Sequence, residues 1–203
     1  ITVDANVTGE EGVTIVTTAV GGTLTHSGGT IDGTDSTLLL QADEMALSST
    51  IGSVATDIVE LRPNDLTDTI SIGVADTAAN DTLELSDAEL DTITGVLRIG
   101  DAAGGAISVG GTISPLNAAT VHLQTGAGIT DTAGSIITET NLAITAGGTV
   151  TLDVGHDVGT VAADLTSGTG SFTFDDTNTL TVGTVDAVVG ITTTNAAITT
   201  ITG

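Results

Sequence analysis

The side chains best suited to chemistry in this chain are carboxylates. Its 26 Asp and Glu residues face only two basic residues, Arg62 and Arg98, and the formal net charge is −24. An enzyme that cleaves acidic sugars needs several cations beside its carboxylates, because the developing negative charge must be stabilised. Two arginines well separated along the chain do not meet that need. We therefore expect each to pair with a nearby Asp or Glu at the surface instead of forming one shared site.

Paired acids alone would suit a glycosidase, which needs one carboxyl as acid and another as base or nucleophile. Candidate pairs are Asp175 with Asp176 and Glu84 with Asp87. Acids are so frequent here that two neighbours carry little information. The sequence predicts no catalytic residues and no enzyme, with sugar cleavage kept as an alternative.

The three histidines, His26, His122 and His156, are far apart in sequence, and no Ser or Cys nucleophile stands at a recognisable spacing from any of them. A zinc site needs several nitrogen or sulfur ligands that converge, and the chain has no cysteine. We expect the histidines at exposed positions or at corners, with no metal site.

Calcium is the one cofactor that the sequence leaves open, because hard oxygen ligands are plentiful. Three acidic turns offer such oxygens: Asp32 to Asp35, Asn64-Asp65 with Asp68, and Asp175-Asp176 with Asn178. None matches the EF-hand loop, and the glycine-rich nonapeptide of calcium-binding β-rolls is absent. Turn capping by Asx side chains explains the same residues.

The acidic charge also limits the partners. Nucleic acid is excluded, because phosphate binding needs clustered Lys and Arg, and an anionic membrane surface is disfavoured for the same reason. Self-repulsion among the acids would be screened in a saline or calcium-containing exterior. No run of apolar residues is long enough to insert into a membrane.

With no signal peptide and no initiator methionine, the sequence is interpreted as a fragment of a longer repeat protein.

A strand-like repeat organises the whole chain. Apolar-polar-apolar signals followed by Gly, Asn, Asp or Thr recur at gaps of 19 to 24 residues, at Ile15, Leu38, Val59, Leu83, Ile107, Ile129, Val150, Phe172 and Ile191. This is the spacing of one coil of a parallel β-solenoid. The sequence thus predicts an all-β fold, a parallel β-solenoid of about nine coils of roughly 22 residues. Residues 1–203 form one continuous segment, about 43 Å long at about 4.8 Å per coil.

The interior of that rod must be thin and aliphatic, because the chain has only two phenylalanines, no tryptophan and no tyrosine. Residues two apart in a strand point to the same side. Five pairs are predicted to point inward: Val59 and Leu61, Leu83 and Leu85, Ile107 and Val109, Val150 and Leu152, and Phe172 and Phe174.

Two segments allow helix to compete with strand. Ser86 to Thr94 has the Ser86/Glu89 spacing of a capping box, which predicts a single helical turn or a loop on the rod in preference to a regular strand. Ser36 to Ser49 is assigned to strand because of its flanks. Pro63 and Pro115 are assigned to loops.

Threonine arrays raise one further possibility. Thr149 and Thr151, Thr179 and Thr181, and Thr23 and Thr25 have the Thr-x-Thr form of ice-binding solenoids. Their recurrence from coil to coil looks irregular in the sequence, so ice binding is the third alternative.

Three segments carry a resemblance to a known family. LELSDAELDTITGVLRIGDAAGGAISVGGTIS (83–114) resembles the repeat of very large bacterial exoproteins of the filamentous haemagglutinin and autotransporter-adhesin type. TNLAITAGGTVTLDVGHDVGTVAA (140–163) and GSFTFDDTNTLTVGTVDAVVGITTT (170–194) are similar to the coils that follow it. The resemblance covers about 57–194.

The resemblance implies a right-handed parallel β-helix (a β-solenoid). It also implies a secreted, extracellular or cell-surface, non-enzymatic rod that serves in adhesion, matrix or cell-cell contact. The expected partners are neighbouring coils or copies of the chain in a fibre, together with glycans or proteins of a host or cell surface. The alternative is a carbohydrate-binding or carbohydrate-cleaving β-helix.

Overall fold

The computed structural model describes residues 1–77, 81–194 and 200–203. One four-residue helix, α1 (Asp87–Leu90), accompanies the strands of these ranges. The strands are β1 (Thr2–Val3), β2 (Val7–Thr8), β3 (Val13–Val16), β4 (Thr23–His26), β5 (Ile31–Asp32), β6 (Thr37–Gln41), β7 (Glu44–Leu47), β8 (Ile58–Arg62), β9 (Thr69–Ile72), β10 (Thr82–Leu85), β11 (Gly95–Asp101), β12 (Ile107–Val109), β13 (Ala118–Thr125), β14 (Ile129–Asp131), β15 (Thr138–Ala146), β16 (Val150–Leu165), β17 (Phe172–Asp176), β18 (Thr181–Val182), β19 (Thr184–Val185), β20 (Val188–Val189), β21 (Ile191–Thr193) and β22 (Thr200–Thr202).

These strands stack as the three faces of a parallel β-solenoid. Face 1 runs through β1, β4, β7, β10, β9, β12, β14, the start of β16, β17 and β22. Face 3 runs through β3, β6, β8, β11, β13, β15, the end of β16, and then β18 and β21. Face 2 is short and is built from β2, β5 and single bridges at Ile51, Ile93, Ile113 and Ile137. The predicted solenoid is confirmed, with about eight coils along face 3 in place of nine.

The interior is the aliphatic stack that the sequence predicts. All five predicted inward pairs are buried, each side chain at most 1% exposed. Phe172 and Phe174 lie with their ring centroids 6.2 Å apart and nearly parallel. One connected cluster of buried apolar side chains extends from Val13 to Phe174. Burial of this column is the main favourable term in folding, since a single coil has no second layer of its own.

One coil departs from the simple order of stacking. Strand β9 pairs with β12 on one side, and β10, which follows β9 in sequence, pairs with its other side at an offset of 13 residues. The chain therefore passes one layer ahead, returns beneath itself, and only then continues through α1 to β11. Face 1 gains an extra strand here, whereas β8 and β11 remain direct neighbours on face 3. Of the positions at which the strand-like signal recurs in the sequence, Val59 therefore lies on face 3 and the following one, Leu83, lies on face 1.

The predicted helical turn is confirmed as α1. The backbone N–H of Ser86 donates to the Glu89 carboxylate at 2.9 Å, which completes the predicted capping box. The segment 36–49 forms β6 and β7, as predicted, and both prolines lie outside strands.

Carboxylates hold the corners between faces. Asp57 accepts hydrogen bonds from the backbone N–H groups of Ser53 and Asp35, at 2.7 and 2.9 Å. Asp43 accepts from Gly21 and Asn64, one coil away in each direction. Both acids are at most 3% exposed. Corner N–H groups have no strand partner, so a buried carboxylate satisfies them, and several of the acids are thereby structural.

A β-hairpin interrupts the last coil of face 3 and folds back over it. We call this segment, Thr184 to Val189, the strap. Its strands β19 and β20 pair antiparallel, and the two residues at its tip, Asp186 and Ala187, have φ of 43° and 66°. Val185 and Val188 pack on Ala143 and Ala162, which covers two outward-facing alanines of the preceding coils. No feature of the sequence had predicted this excursion.

Candidate functional site

Both arginines of the chain lie in one cluster on face 3. Arg62 Nη2 lies 2.6 Å from Glu60 Oε2, and Arg98 Nη1 lies 3.3 Å from Glu60 Oε1. Arg62 also pairs with Asp101 at 2.9 Å. The predicted pairing with nearby acids is confirmed. The expectation that the arginines stand apart is wrong, because the extra strand on face 1 uses up sequence without separating β8 from β11.

The tip of the strap completes this cluster from 88 residues away. Asp186 binds the Arg98 guanidinium through two oxygens, Nε to Oδ2 at 2.7 Å and Nη2 to Oδ1 at 2.8 Å. The hydrogen bonds that Arg98 donates to Asp186 raise the pKa of Arg98. Burial opposes ionisation of Asp186, but the hydrogen bonds from Arg98 and His122 outweigh it and lower the pKa of Asp186. We call Glu60, Arg62, Arg98, Asp101, His122 and Asp186 the charged cluster.

His122 connects the strap to the next coil. Its Nδ1 lies 2.7 Å from Asp186 Oδ2, and its Nε2 lies 2.9 Å from Thr145 Oγ1. Burial lowers the pKa of His122, and Asp186 opposes that shift. In its neutral form the ring donates a hydrogen bond from Nδ1 to Asp186 and accepts a hydrogen bond at Nε2 from the Thr145 hydroxyl.

Hydroxyl, imidazole and carboxylate thus stand in the order of a hydrolase triad, which the sequence did not indicate. The imidazole is only 4% exposed, however, and the strap that supplies Asp186 also covers this side of the face. Asp186 is moreover shared with Arg98. These hydrogen bonds therefore hold the strap against several coils. The spacing of about one coil between His122 and Thr145 was the only sequence signal for it.

The other two histidines are buried as well, so the expectation of exposed histidines is wrong. His156 accepts from the backbone N–H of Ile137 at Nδ1, at 3.0 Å, which leaves Nε2 to donate to Asp131 at 3.1 Å. Its ring lies 5.3 Å from that of Phe174. Burial lowers the pKa of His156 against the opposing charge of Asp131. This histidine is a core residue held in its neutral form.

His26 is fully buried in β4, and neither of its ring nitrogens makes a hydrogen bond within the described part of the chain. Burial lowers the pKa of His26, while the nearby backbone of Gly28 and Ser49 opposes the shift. An inward-facing position of a strand accepts an uncharged imidazole, so the alternation of apolar and polar residues did not predict that His26 is buried.

The predicted acid pairs do not converge. Asp176 is buried and accepts from the backbone N–H of Val158 at 2.7 Å, whereas Asp175, the preceding residue in the strand, lies on the opposite side of the strand. Glu84 binds the Thr77 hydroxyl at 2.7 Å, and Asp87 accepts from the backbone N–H of Ser114 at 2.6 Å. Both pairs are divided between different structural tasks.

The acidic turns are capped as Asx turns. Asp32, Asp65 and Asp176 each accept from the backbone N–H two residues later, at 3.1, 2.9 and 2.9 Å. Hydrogen bonds from Thr67 lower the pKa of Asp65, while burial raises that of Asp68. Within the described residues, no three His, Cys, Asp or Glu side chains are grouped so that they could hold a metal ion.

Face 1 carries a more regular array than the sequence indicated. Six consecutive strands place a hydroxyl at the same register, which we call the hydroxyl column: Ser71, Ser108, Thr130, Thr151, Thr173 and Thr200. Two positions earlier in the repeat, Thr149 and Ser171 continue a second rank, but Ala106 and Gly128 interrupt it. The array is a single column and not the double rank that a Thr-x-Thr surface requires.

A cavity of about 600 Å³ opens on the opposite side of the middle coils. We call it the Glu139 cavity, and its lining residues are Ser114 to Ala119, Thr138 to Thr140, Asp157 and Gly159. Glu139 is 8% exposed, and its Oε1 has no hydrogen-bond partner among the residues that the structure describes. Burial raises the pKa of Glu139 to about 7, although the backbone N–H of Thr140 opposes the shift. Sequence reasoning missed this residue because its segment, Thr-Glu-Thr, has the ordinary pattern of a solvated strand.

No helix among the described residues is both long and apolar enough to cross a membrane. No family model, no curated protein and no solved structure matches the chain.

Proposed function

We propose that this chain is a stiff structural and adhesive rod segment of a large, secreted bacterial surface protein, with no enzymatic activity. The observation that supports the proposal is the continuous inner stack of aliphatic side chains, bounded by parallel ladders on face 1 and face 3. Each inner coil is hydrogen-bonded to a neighbour on both sides, so bending the rod strains many bonds at once. Stiffness and reach are the properties that such a body supplies.

The surface charge fits a role outside the cell. With a net charge of −24, neighbouring rods repel each other at low ionic strength, and salt screens this repulsion within about 10 Å at 0.1 M. Copies of the chain would then assemble end to end, where strand edges meet, in preference to side by side. We place the protein at the cell surface or in the extracellular matrix, with copies of itself and cell-surface glycans or proteins as partners.

Tandem fusion tests the rod. Proteins with one, two and three copies of the chain, joined in frame at a coil boundary, should lengthen by about 38 Å per copy at constant width, since eight coils rise about 4.8 Å each. Small-angle scattering and electron microscopy measure both dimensions. Particles that become wider and not longer would contradict the proposal.

Adhesion needs its own test. Beads coated with the three-copy rod should bind cells or one another more than beads coated with a soluble acidic protein of equal charge. Equal binding would remove the adhesive role and leave only that of a spacer.

The rival function, carbohydrate binding or cleavage, is favoured by one observation, the open Glu139 cavity with a second carboxylate, Asp157, in its wall. Release of reducing ends from a panel of polysaccharides by the wild type, but not by Glu139→Gln, would favour the rival over the non-enzymatic rod.

A further inference from the structure

The Glu139 cavity has a wall that is fixed before any ligand arrives. The backbone N–H of Ser114 donates to Asp87 at 2.6 Å, and that of Leu116 donates to Asp91 at 3.0 Å. Asn117 Nδ2 donates to the carbonyl of Asp91 at 2.7 Å. The loop before β13 is thus tied at three points to the helical turn of the neighbouring coil. A ligand would lose little free energy to ordering this side of the cavity.

Glu139 is the polar group of the cavity that the protein leaves unsatisfied. It points inward from β15, and the residue opposite it in the next coil is Val158, whose side chain offers no hydrogen bond. A buried carboxyl oxygen without a partner destabilises a fold, so its presence in a cavity wall suggests a partner from outside the chain.

The charges around the cavity select the sign of that partner. Asp157 lies in the wall, and Asp87 and Asp91 lie directly behind the loop. Both arginines of the chain are committed to the charged cluster on face 3, so no basic side chain is present to balance these acids. An anion is repelled here, and a cation is attracted.

The rest of the lining selects the kind of cation. Pro115, Leu116, Ala118 and Ala119 supply apolar surface, and Leu116 is 76% exposed at the rim. Hydroxyls of the wall, such as that of Thr140, can accept hydrogen bonds from N–H groups. A cation with an apolar stem matches both features, since the stem packs on apolar surface while the head reaches the carboxylates. A bare divalent ion requires six or more oxygens, which this wall does not group.

We propose that the Glu139 cavity binds a primary ammonium group carried on an aliphatic stem, with Glu139 and Asp157 as the charged acceptors. The ammonium belongs either to a lysine side chain of another protein or to a free alkyl diamine. This site goes beyond the role as a rod, and a failed binding test would remove the site while leaving that role intact.

The test is an NMR titration of the intact chain with n-butylammonium chloride at fixed ionic strength. Saturable shifts are expected for the backbone amides of 114, 116–119, 138–140 and 157. Binding should strengthen from pH 6 to pH 8, because the ammonium favours ionised Glu139 and releases its proton. n-Butanol, which has the stem without the charge, and tetramethylammonium, which has the charge without N–H donors, should bind at least tenfold more weakly.

Variants locate the site. Glu139→Gln should weaken butylammonium binding at least tenfold and abolish its pH dependence, with its fold checked by circular dichroism. Asp153→Asn removes one exposed carboxylate from the same strand as Asp157 and serves as the charge-matched control, so it should bind like the wild type.

Two further titrations identify the source of the ammonium. A capped Gly-Lys-Gly peptide binds more tightly than 1,5-diaminopentane if the natural ligand is a lysine side chain, and the reverse order indicates a free diamine. The proposal is overturned if neither binds, if Glu139→Gln binds as well as the wild type, or if n-butanol binds as well as the amine. It is also overturned if CaCl₂ shifts the same amides at lower concentration, which would make this a metal site.

Discussion

The charged cluster and the Glu139 cavity use the same side chains in opposite ways. In the cluster every carboxylate meets a cation: Glu60 contacts both arginines, and Asp186 contacts Arg98 and His122. In the cavity Glu139 and Asp157 meet no basic group, and one oxygen of Glu139 has no partner. Carboxylates paired with cations fasten a structure, whereas a buried carboxylate without a cation leaves binding capacity for something else.

The charged cluster and the Glu139 cavity differ because the chain has so few basic residues. A chain with two basic residues has enough positive charge for one such cluster, and it uses both where the strap must be held. The comparison therefore predicts that mutations in the cluster destabilise the protein, while neutralising Glu139 stabilises it.

Arg98→Ala should have the largest effect. It leaves the partly buried Asp186 without its arginine and Glu60 with Arg62 alone, which we expect to lower the free energy of unfolding by about 3 kcal/mol. The strap should come loose, so limited proteolysis within 183–190 should accelerate. Urea unfolding and mass spectrometry of the fragments measure both changes. A loss below about 0.5 kcal/mol, with an unchanged cleavage pattern, would show that the cluster does not fasten the strap.

Glu139→Gln should change stability in the opposite direction. The pKa of Glu139 is about 7 in the folded protein against 4.5 as the ordinary value, so the folded state binds more protons between these limits. Stability conferred by the protonated form is therefore lost as the pH rises from 4.5 through 7. At pH 8 the variant should exceed the wild type by about 1–2 kcal/mol, and at pH 4.5 the two should agree. Thermal unfolding at both pH values checks this, with Asp153→Asn as the control.

The histidines sharpen the contrast, because their contribution has the reverse dependence on pH. Burial lowers the folded-state pKa of His26, His122 and His156 below 6.5. Their contribution to stability is present above pH 6.5, and it is lost as the pH falls toward the folded-state values, because the unfolded chain takes up protons first. In the Glu139→Gln background the melting temperature should fall steadily on acidification below pH 6.5. A melting temperature that holds or rises would contradict the buried neutral histidines.

Ala187→Gly should give the smallest effect. Ala187 has a φ of 66°, a left-handed conformation that costs an alanine about 1 kcal/mol and a glycine nearly nothing. The variant should stabilise the strap by about that amount and slow amide exchange in 184–189. Faster exchange would mean that the alanine methyl group contributes packing that outweighs its strain.

The sequence predicted what the periodic apolar pattern controls: the coil length, the inward pairs such as Val59 and Leu61, and the single turn capped by Ser86 and Glu89. Those features depend on local spacing. The reversed order of β9 and β10 could not be predicted, because a coil that returns beneath itself has the same alternation as one that advances. The meeting of Arg62 with Arg98 through Glu60 depends on that reversed order, so it could not be predicted either.

The strap and the cavity escaped prediction for a second reason. Thr184 to Val189 has strand-like residues, so it was interpreted as part of a regular coil, and nothing local indicated that Asp186 reaches Arg98. Glu139 is buried although the polar residues on either side of it give the segment the pattern of a solvated strand. A polar residue at such a position is where sequence patterns fail, and it is also where a site is most often found.

The central claim is that successive coils stack in register along one axis, and distances along the hydroxyl column test it most directly. Because the chain has no cysteine, nitroxide labels can be attached at chosen pairs of introduced cysteines without background. The pairs Ser71 with Thr151, Ser71 with Thr173, and Ser71 with Thr200 are three, four and five strands apart. Electron–electron resonance should give distances near 14, 19 and 24 Å, an increase of about 4.8 Å per strand. Distances that do not increase in this order would contradict a stacked solenoid.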